Sequence, residues 1–247
     1  MKMNRCILHI GCEKTGTTSI QGALYKNIAA LKRQGYFMLH TLGVTNNRTF
    51  PAYFEPFSYS GFNEWQHANG CLTAKDKEDF FEGFPNIFHE EVQEAASFLH
   101  TTIITSEHFH SRIKTKKQMQ KIHDFLSRSF NKIEIVCYFR EPVEAALSGY
   151  STVIKIGWSS NLEGFLEDNC KPDNYYYNHK KIADNWSEVF GIENCHFHLY
   201  DSQRDAFEHF SSVVGIRGAT NRGADAGNSS LTNLQAQAFR VINKKIP

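Results

Sequence analysis

The chain has 247 residues, with 27 lysines and arginines against 26 acidic residues and a net charge of +1. That balance excludes a general attraction to nucleic acid or to an anionic membrane, so any anion must be gripped locally. A hydrophobic fraction of 41% and an aromatic fraction of 13% describe a globular chain, read as one domain over 1–247 without repeats or low-complexity tracts. No apolar run reaches the length of a membrane span, and the first one is a strand's length, not a secretory core. Six cysteines (Cys6, Cys12, Cys71, Cys137, Cys170 and Cys195) lack CxxC spacing, which fits a reducing cytoplasm.

Cys6 to Ile10 reads as a buried strand, Gly11 and Gly16 as turn residues, and Thr17 or Thr18 as the start of a helix. Ile20, Ala23, Leu24, Ile28 and Leu31 would form its apolar face. Strand, glycine loop and helix turn backbone N–H groups and a helix dipole toward an anion. Lys14 and the hydroxyls of Thr15, Thr17, Thr18 and Ser19 add charge and donors at the same place. The spacing from Gly11 to Gly16 is that of a Walker A loop without its lysine, which stands instead at Lys14.

Residues 35–73 are rich in rings, among them Tyr36, Phe37, Phe50, Tyr53, Phe54, Phe57, Tyr59, Phe62 and Trp65. They read as a long ordered loop or lid, facing a sugar or covering the sheet. A charged helix is expected from Asp76, broken at Pro85, and another from Asn86 to His100. Thr101 to Thr105 forms a β-branched strand leading to Ser106, Glu107 and His108. Should it neighbour the first strand, Glu107 or His108 would face the loop and take a proton from an acceptor hydroxyl. The pairs His108/His110 and His196/His198 are expected on strands, and without a third ligand no metal is expected.

A packing helix spans about 115–129, with Met119, Ile122, Phe125 and Leu126 inward; Lys114, Lys116, Lys117 and Lys121 make a solvated or glycan-facing side. Ile133 to Phe139 is a buried strand, after which Arg140 and Pro142 open a helix. Arg140 and Ser148 can meet on one oxyanion if that helix runs beside the sheet edge. Residues 161–191 are helical by pattern, with Phe165, Leu166, Ile182, Ala183, Trp186, Val189 and Phe190 inward, and Tyr175, Tyr176 and Tyr177 stack on a sugar or cap the core. Phe197 to Gln203 is a later strand, and a terminal helix is capped between Asn228 and Ser230.

The run Lys14-Thr15-Gly16-Thr17-Thr18 resembles the 5′-phosphosulfate loop of sulfotransferases that use 3′-phosphoadenosine 5′-phosphosulfate (PAPS), especially the QKTGTT-like loop of the glycan-modifying and bacterial branches. Arg140, Pro142, Ser148 and Tyr150 are similar to that family's R-x-P-x5-S-x-Y motif for the 3′-phosphate, most nearly in its glycan 3-O-sulfotransferase form. The resemblance implies a three-layer, P-loop-like α/β fold around a mostly parallel sheet, with residues 35–100 as an insertion or lid on the acceptor side. It implies PAPS as donor, PAP as product, no metal, and a carbohydrate or other small-molecule acceptor attacking through a hydroxyl or, less readily, an amine.

On this resemblance Lys14, the loop with Thr15, Gly16, Thr17, Thr18 and Ser19, and the pair Arg140 and Ser148 hold the donor, while Tyr200 approaches the adenine. Glu107 matches the base of the glycan branch and His108 that of the cytosolic branch; Glu107 is preferred. Only Asn221, Arg222 and Gly223 are similar to the cytosolic branch's basic 3′-phosphate loop, and the glycan branch's disulfide and anchor have no counterpart. A P-loop kinase of a small metabolite, or a nucleotide- or glycan-binding module without catalysis, are the alternatives.

Overall fold

The protein is described by a computed structural model covering residues 2–43, 45–58, 63–219 and 231–245. Strand β1 (Met3–His9) is followed by helices α1 (Thr17–Lys26) and α2 (Ile28–Arg33) and the short strand β2 (Tyr36–Phe37). Next come α3 (Thr49–Phe54), α4 (Glu64–Ala68), α5 (Ala74–Phe80) and α6 (Phe84–Ala95), then β3 (Thr101–Thr105), α7 (His108–Arg112), α8 (Lys116–Leu126) and β4 (Phe130–Phe139). The chain continues through α9 (Pro142–Lys155), α10 (Leu162–Asn169), α11 (His179–Phe190), β5 (Cys195–Leu199), α12 (Ala206–Val214) and α13 (Asn233–Asn243).

The strands form one sheet in the order β2-β3-β1-β4-β5, and every pairing is parallel. Alternate residues of the central strands feed separate cores: Cys6, Leu8, Ile104 and Ile135 on one face, Ile7, Ile103 and Val136 on the other. A strand buried on both faces carries no polar alternation, which is why Cys6–Leu8 of β1 and Ile135–Phe139 of β4 read as apolar runs and β3 as a β-branched run of threonine and isoleucine. Rings from α3, α6, α8 and α11 (Phe50, Phe88, Phe125, Trp186) cover the first face. Helices α1, α2 and α12, through Ile20, Leu24, Leu31 and Phe207, cover the second. This is a three-layer α/β arrangement. Among the described residues no helix is long and apolar enough to cross a membrane.

Several expectations are corrected. The first helix breaks at Asn27, whose amide donates to the carbonyl of Ala23, so Ile28 begins a separate helix and is exposed. Pro85 does not break a helix: it sits in the first turn of α6, where a missing N–H is no loss, and α6 ends at Ala95. His108 and His110 lie on α7, not on a strand, because the chain turns helical directly after β3 with Glu107 at the helix cap. Strand β5 stops at Leu199, leaving Tyr200 just past its tip. Of the two alternatives for the rings of residues 35–73, Phe50 and Trp65 take the second and sit in the core, with Tyr53 and Phe54 packed against it. Tyr59, Phe62, the stretch Asn221 to Gly223 and the cap at Asn228 to Ser230 lie outside the described residues; α13 is capped by Thr232, whose hydroxyl accepts from the Gln235 N–H.

Candidate active site

Because β1 lies between β3 and β4, the turns after all three strands meet at one sheet edge. There they line a cleft of about 730 Å³, a size suited to a nucleotide-sized ligand. Lys14, Gly16, Thr17, Thr18 and Ser19 contribute from the loop and α1, Glu107 and His108 from the tip of β3, Arg140 and Ser148 from β4 and α9, and Tyr200 from the tip of β5.

The loop's path is set by close contacts. A Cβ on Gly11 would lie 2.6 Å from the Thr17 methyl and 2.8 Å from His9 Nε2, so only glycine passes over β1 here. Lys14 (φ 67°) and Gly16 (φ 75°) are both left-handed, and Gly16 caps α1 without a side-chain bond to its first N–H groups. No acidic residue occupies that first turn, so the positive end of the helix opens onto the cleft. Thr15 differs from expectation: its buried hydroxyl donates to the Cys12 carbonyl at 2.6 Å, closing the loop on itself. Its hydroxyl therefore shapes the cradle and does not line it.

The second basic grip adjoins the first. Arg140 Nη1 donates to the Lys14 carbonyl at 3.3 Å, Nε donates to Glu144 at 3.0 Å, and the guanidinium stands 6.0 Å from the Tyr200 ring. Tyr200 also overlies the loop, since a Cβ on Gly16 would come 3.1 Å from its ring. Ser148, buried on the inner side of α9, lines the same space.

Glu107 is held from two sides: Gln21 Nε2 donates to one carboxylate oxygen at 2.8 Å and Asn46 Nδ2 to the other at 3.0 Å. Burial lowers the pKa of His108, with the Glu107 carboxylate opposing the shift, and its Nδ1 has no hydrogen-bond partner among the described residues. A ring held neutral is a weaker base than free imidazole.

Residues that sequence reasoning missed complete the walls. Glu13 accepts from Tyr176 O–H at 2.8 Å, and burial with the nearby Glu13 charge pushes that phenol upward. Arg48, which pairs with Glu64 at 3.2 Å, lines the same cleft, as does Glu64. Nothing local marked Gln21, Asn46, Arg48 or Glu64, which are brought in by the docking of distant segments. Among the described residues no group of three or more His, Cys, Asp or Glu is placed to hold a metal ion.

No family model matches the chain, and no curated protein matches it. Among solved structures it is similar to a sulfotransferase from Alicyclobacillus acidocaldarius, at 15% identity over 98% of this chain and 93% of that one, TM-score 0.49. It is also similar to the sulfotransferase domain of the curacin biosynthetic pathway (13%, 96% and 83%, TM-score 0.43) and to retinol dehydratase solved with androsterone and the inactive cofactor PAP (14%, 98% and 65%, TM-score 0.37). A structure of the PezAT toxin–antitoxin system of Streptococcus pneumoniae is similar at the same level (14%, 99% and 85%, TM-score 0.38).

Proposed function

We propose that the chain is a sulfotransferase that moves the sulfuryl group of PAPS to a hydroxyl of a carbohydrate or other small acceptor. One observation carries this reading: the Lys14 loop and the Arg140–Ser148 pair open into the same cleft, with Tyr200 between them and Glu107 on the adjoining strand tip. The residues fit a bis-phosphorylated adenosine. A helix end free of acidic side chains and side-chain caps suits a 5′-phosphate, guanidinium plus hydroxyl suits a 3′-phosphate, and a ring lies between the two.

Bound there, PAPS supplies a sulfur that bonds to the acceptor oxygen as its bond to the phosphate oxygen breaks, leaving PAP. Glu107 takes the acceptor's proton. The Lys14 ammonium neutralises the charge growing on the departing oxygen, and the N–H groups at the start of α1 with Thr17 and Thr18 hold the 5′-phosphate. Arg140 and Ser148 hold the 3′-phosphate and so select against donors that lack one. Positive side chains meet the charge demand of this transfer without a metal ion. Asn46, Arg48 and Glu64, which line the cleft from within the segment read as the acceptor side, support an acceptor entering there. All six cysteines are thiols, in keeping with a cytoplasmic setting.

The test compares thermal stabilisation by PAP, ADP and ATP, each with and without Mg²⁺, followed by transfer from ³⁵S-labelled PAPS to a panel of sugars. PAP should stabilise most, without Mg²⁺. Stabilisation by ATP with Mg²⁺ above that by PAP would instead favour a P-loop kinase, and PAP binding without any transfer would favour a non-catalytic module.

A further inference from the structure

Gln21 is a buried polar residue, 5% exposed, on the side of α1 that also carries Ile20, Ala23 and Leu24. An amide at such a place is costly unless it is bonded, and an apolar side chain would pack without that cost. Packing therefore does not explain it; its 2.8 Å bond to Glu107 does. The amide that meets the other oxygen is equally well anchored. Ser106 O–H donates to Asn46 Oδ1 at 2.8 Å, and the neighbouring Asn47 exchanges two hydrogen bonds of 2.9 Å with the Thr105 backbone.

We propose that Gln21, assisted by Asn46, is a positioning residue that fixes the Glu107 carboxylate relative to the phosphate loop. This inference rests on the sulfuryl-transfer reading. Thr17, Thr18 and Gln21 belong to one helix, so the turn that cradles the donor and the amide that holds the base move as a unit. Strands β1 and β3 pair in register as far as His9 and Thr105, and beyond that pair the Gln21 bond links the helix that follows β1 to the carboxylate that follows β3. In-line transfer demands base, acceptor oxygen and sulfur in fixed order, and a displacement near 1 Å costs on the order of 100-fold in rate.

Two substitutions separate positioning from simple packing. Gln21→Met keeps the length and removes the donor; Gln21→Glu keeps the shape and sets one carboxylate against another. With ³⁵S-labelled PAPS, and p-nitrophenyl glycosides or water as the acceptor, kcat should fall roughly 10–100-fold in Gln21→Met and further in Gln21→Glu. The KM for PAPS and the stabilisation by PAP should stay within about twofold of the parent's, because the donor grips are untouched. Without nucleotide, the double variant Gln21→Met/Glu107→Gln should lose less melting temperature than the two single variants together, since they share one contact.

A kcat within about twofold of the parent's in both Gln21 variants, or strictly additive melting shifts, would sink the inference while leaving sulfuryl transfer standing. A parent that binds PAP yet releases no label by either route would sink both. If Gln21→Met does not fold, Asn46→Ala must show the same division between kcat and KM, and an unchanged kcat there overturns the proposal.

Discussion

Replacing Arg140 by alanine should separate the two phosphates of the donor. In the structure this guanidinium spends one N–H on the Lys14 carbonyl and one on Glu144, and it stands beside the Tyr200 ring. The pair with Glu144, whose side chain is 55% exposed, is worth less than about 1 kcal/mol, so the fold survives its loss with a melting shift of no more than about 4 °C. A charge-assisted bond to a phosphate contributes about 1.5–3 kcal/mol, which at 1.4 kcal/mol per decade is roughly 10–150-fold in Kd. Isothermal titration with PAP should show that loss, whereas ADP, which lacks a 3′-phosphate, should bind parent and variant within about twofold. The gap should narrow as salt rises, since part of it is Coulombic. Equal PAP affinity in parent and variant, or an equal loss for ADP, would refute the assignment of Arg140 to the 3′-phosphate.

Other substitutions report on the remaining parts. Lys14→Ala should cut kcat by about 100–1,000-fold while PAP affinity falls far less, as single-turnover and titration measurements would show. Glu107→Gln should abolish transfer and leave PAP binding intact; turnover within about tenfold of the parent's would move the base to His108, as a pH–rate profile of His108→Gln would then reveal. Gly16→Ala puts a side chain at φ 75°, 2.8 Å from the Ala206 Cβ, and should cost about 1–2 kcal/mol, or roughly 2–8 °C in melting temperature, along with PAP binding.

Acid should destabilise the fold through two buried imidazoles. Burial lowers His9 to about 3 and His110 to about 4, so both stay neutral in the fold after the unfolded chain has begun to bind protons near pH 6.5. Stability therefore falls as pH drops below about 6.5, with the His110 share complete near 4 and the His9 share near 3. Melting curves of His110→Asn across that window should be flatter than the parent's.

What the sequence disclosed follows from how locally each feature is encoded. Strands buried on both faces show as apolar or β-branched runs whatever surrounds them, so β1, β3 and β4 and the residues at their tips were legible, Lys14, Glu107 and Arg140 included. The strand order was not: that Glu107 faces the Lys14 loop depends on β3 pairing with β1, which no local pattern states. The rings of residues 35–73 were visible, but their destination was decided by the complementary rings of Phe84, Phe88 and Phe125 far along the chain. Gln21 and Asn46 were invisible for a similar reason, being ordinary amides until two distant segments bring them onto one carboxylate. The short helix α7 escaped because Glu107 and His108 follow a β-branched run without a glycine or proline to mark the turn.

The most direct test is a crystal structure of the protein with PAP. The expected arrangement puts the 5′-phosphate among the N–H groups of Gly16 to Ser19 beside Lys14, and the 3′-phosphate on Arg140 and Ser148 of the same molecule. A nucleotide that engages the loop but leaves Arg140 paired with Glu144, its 3′-phosphate lying elsewhere, would contradict it.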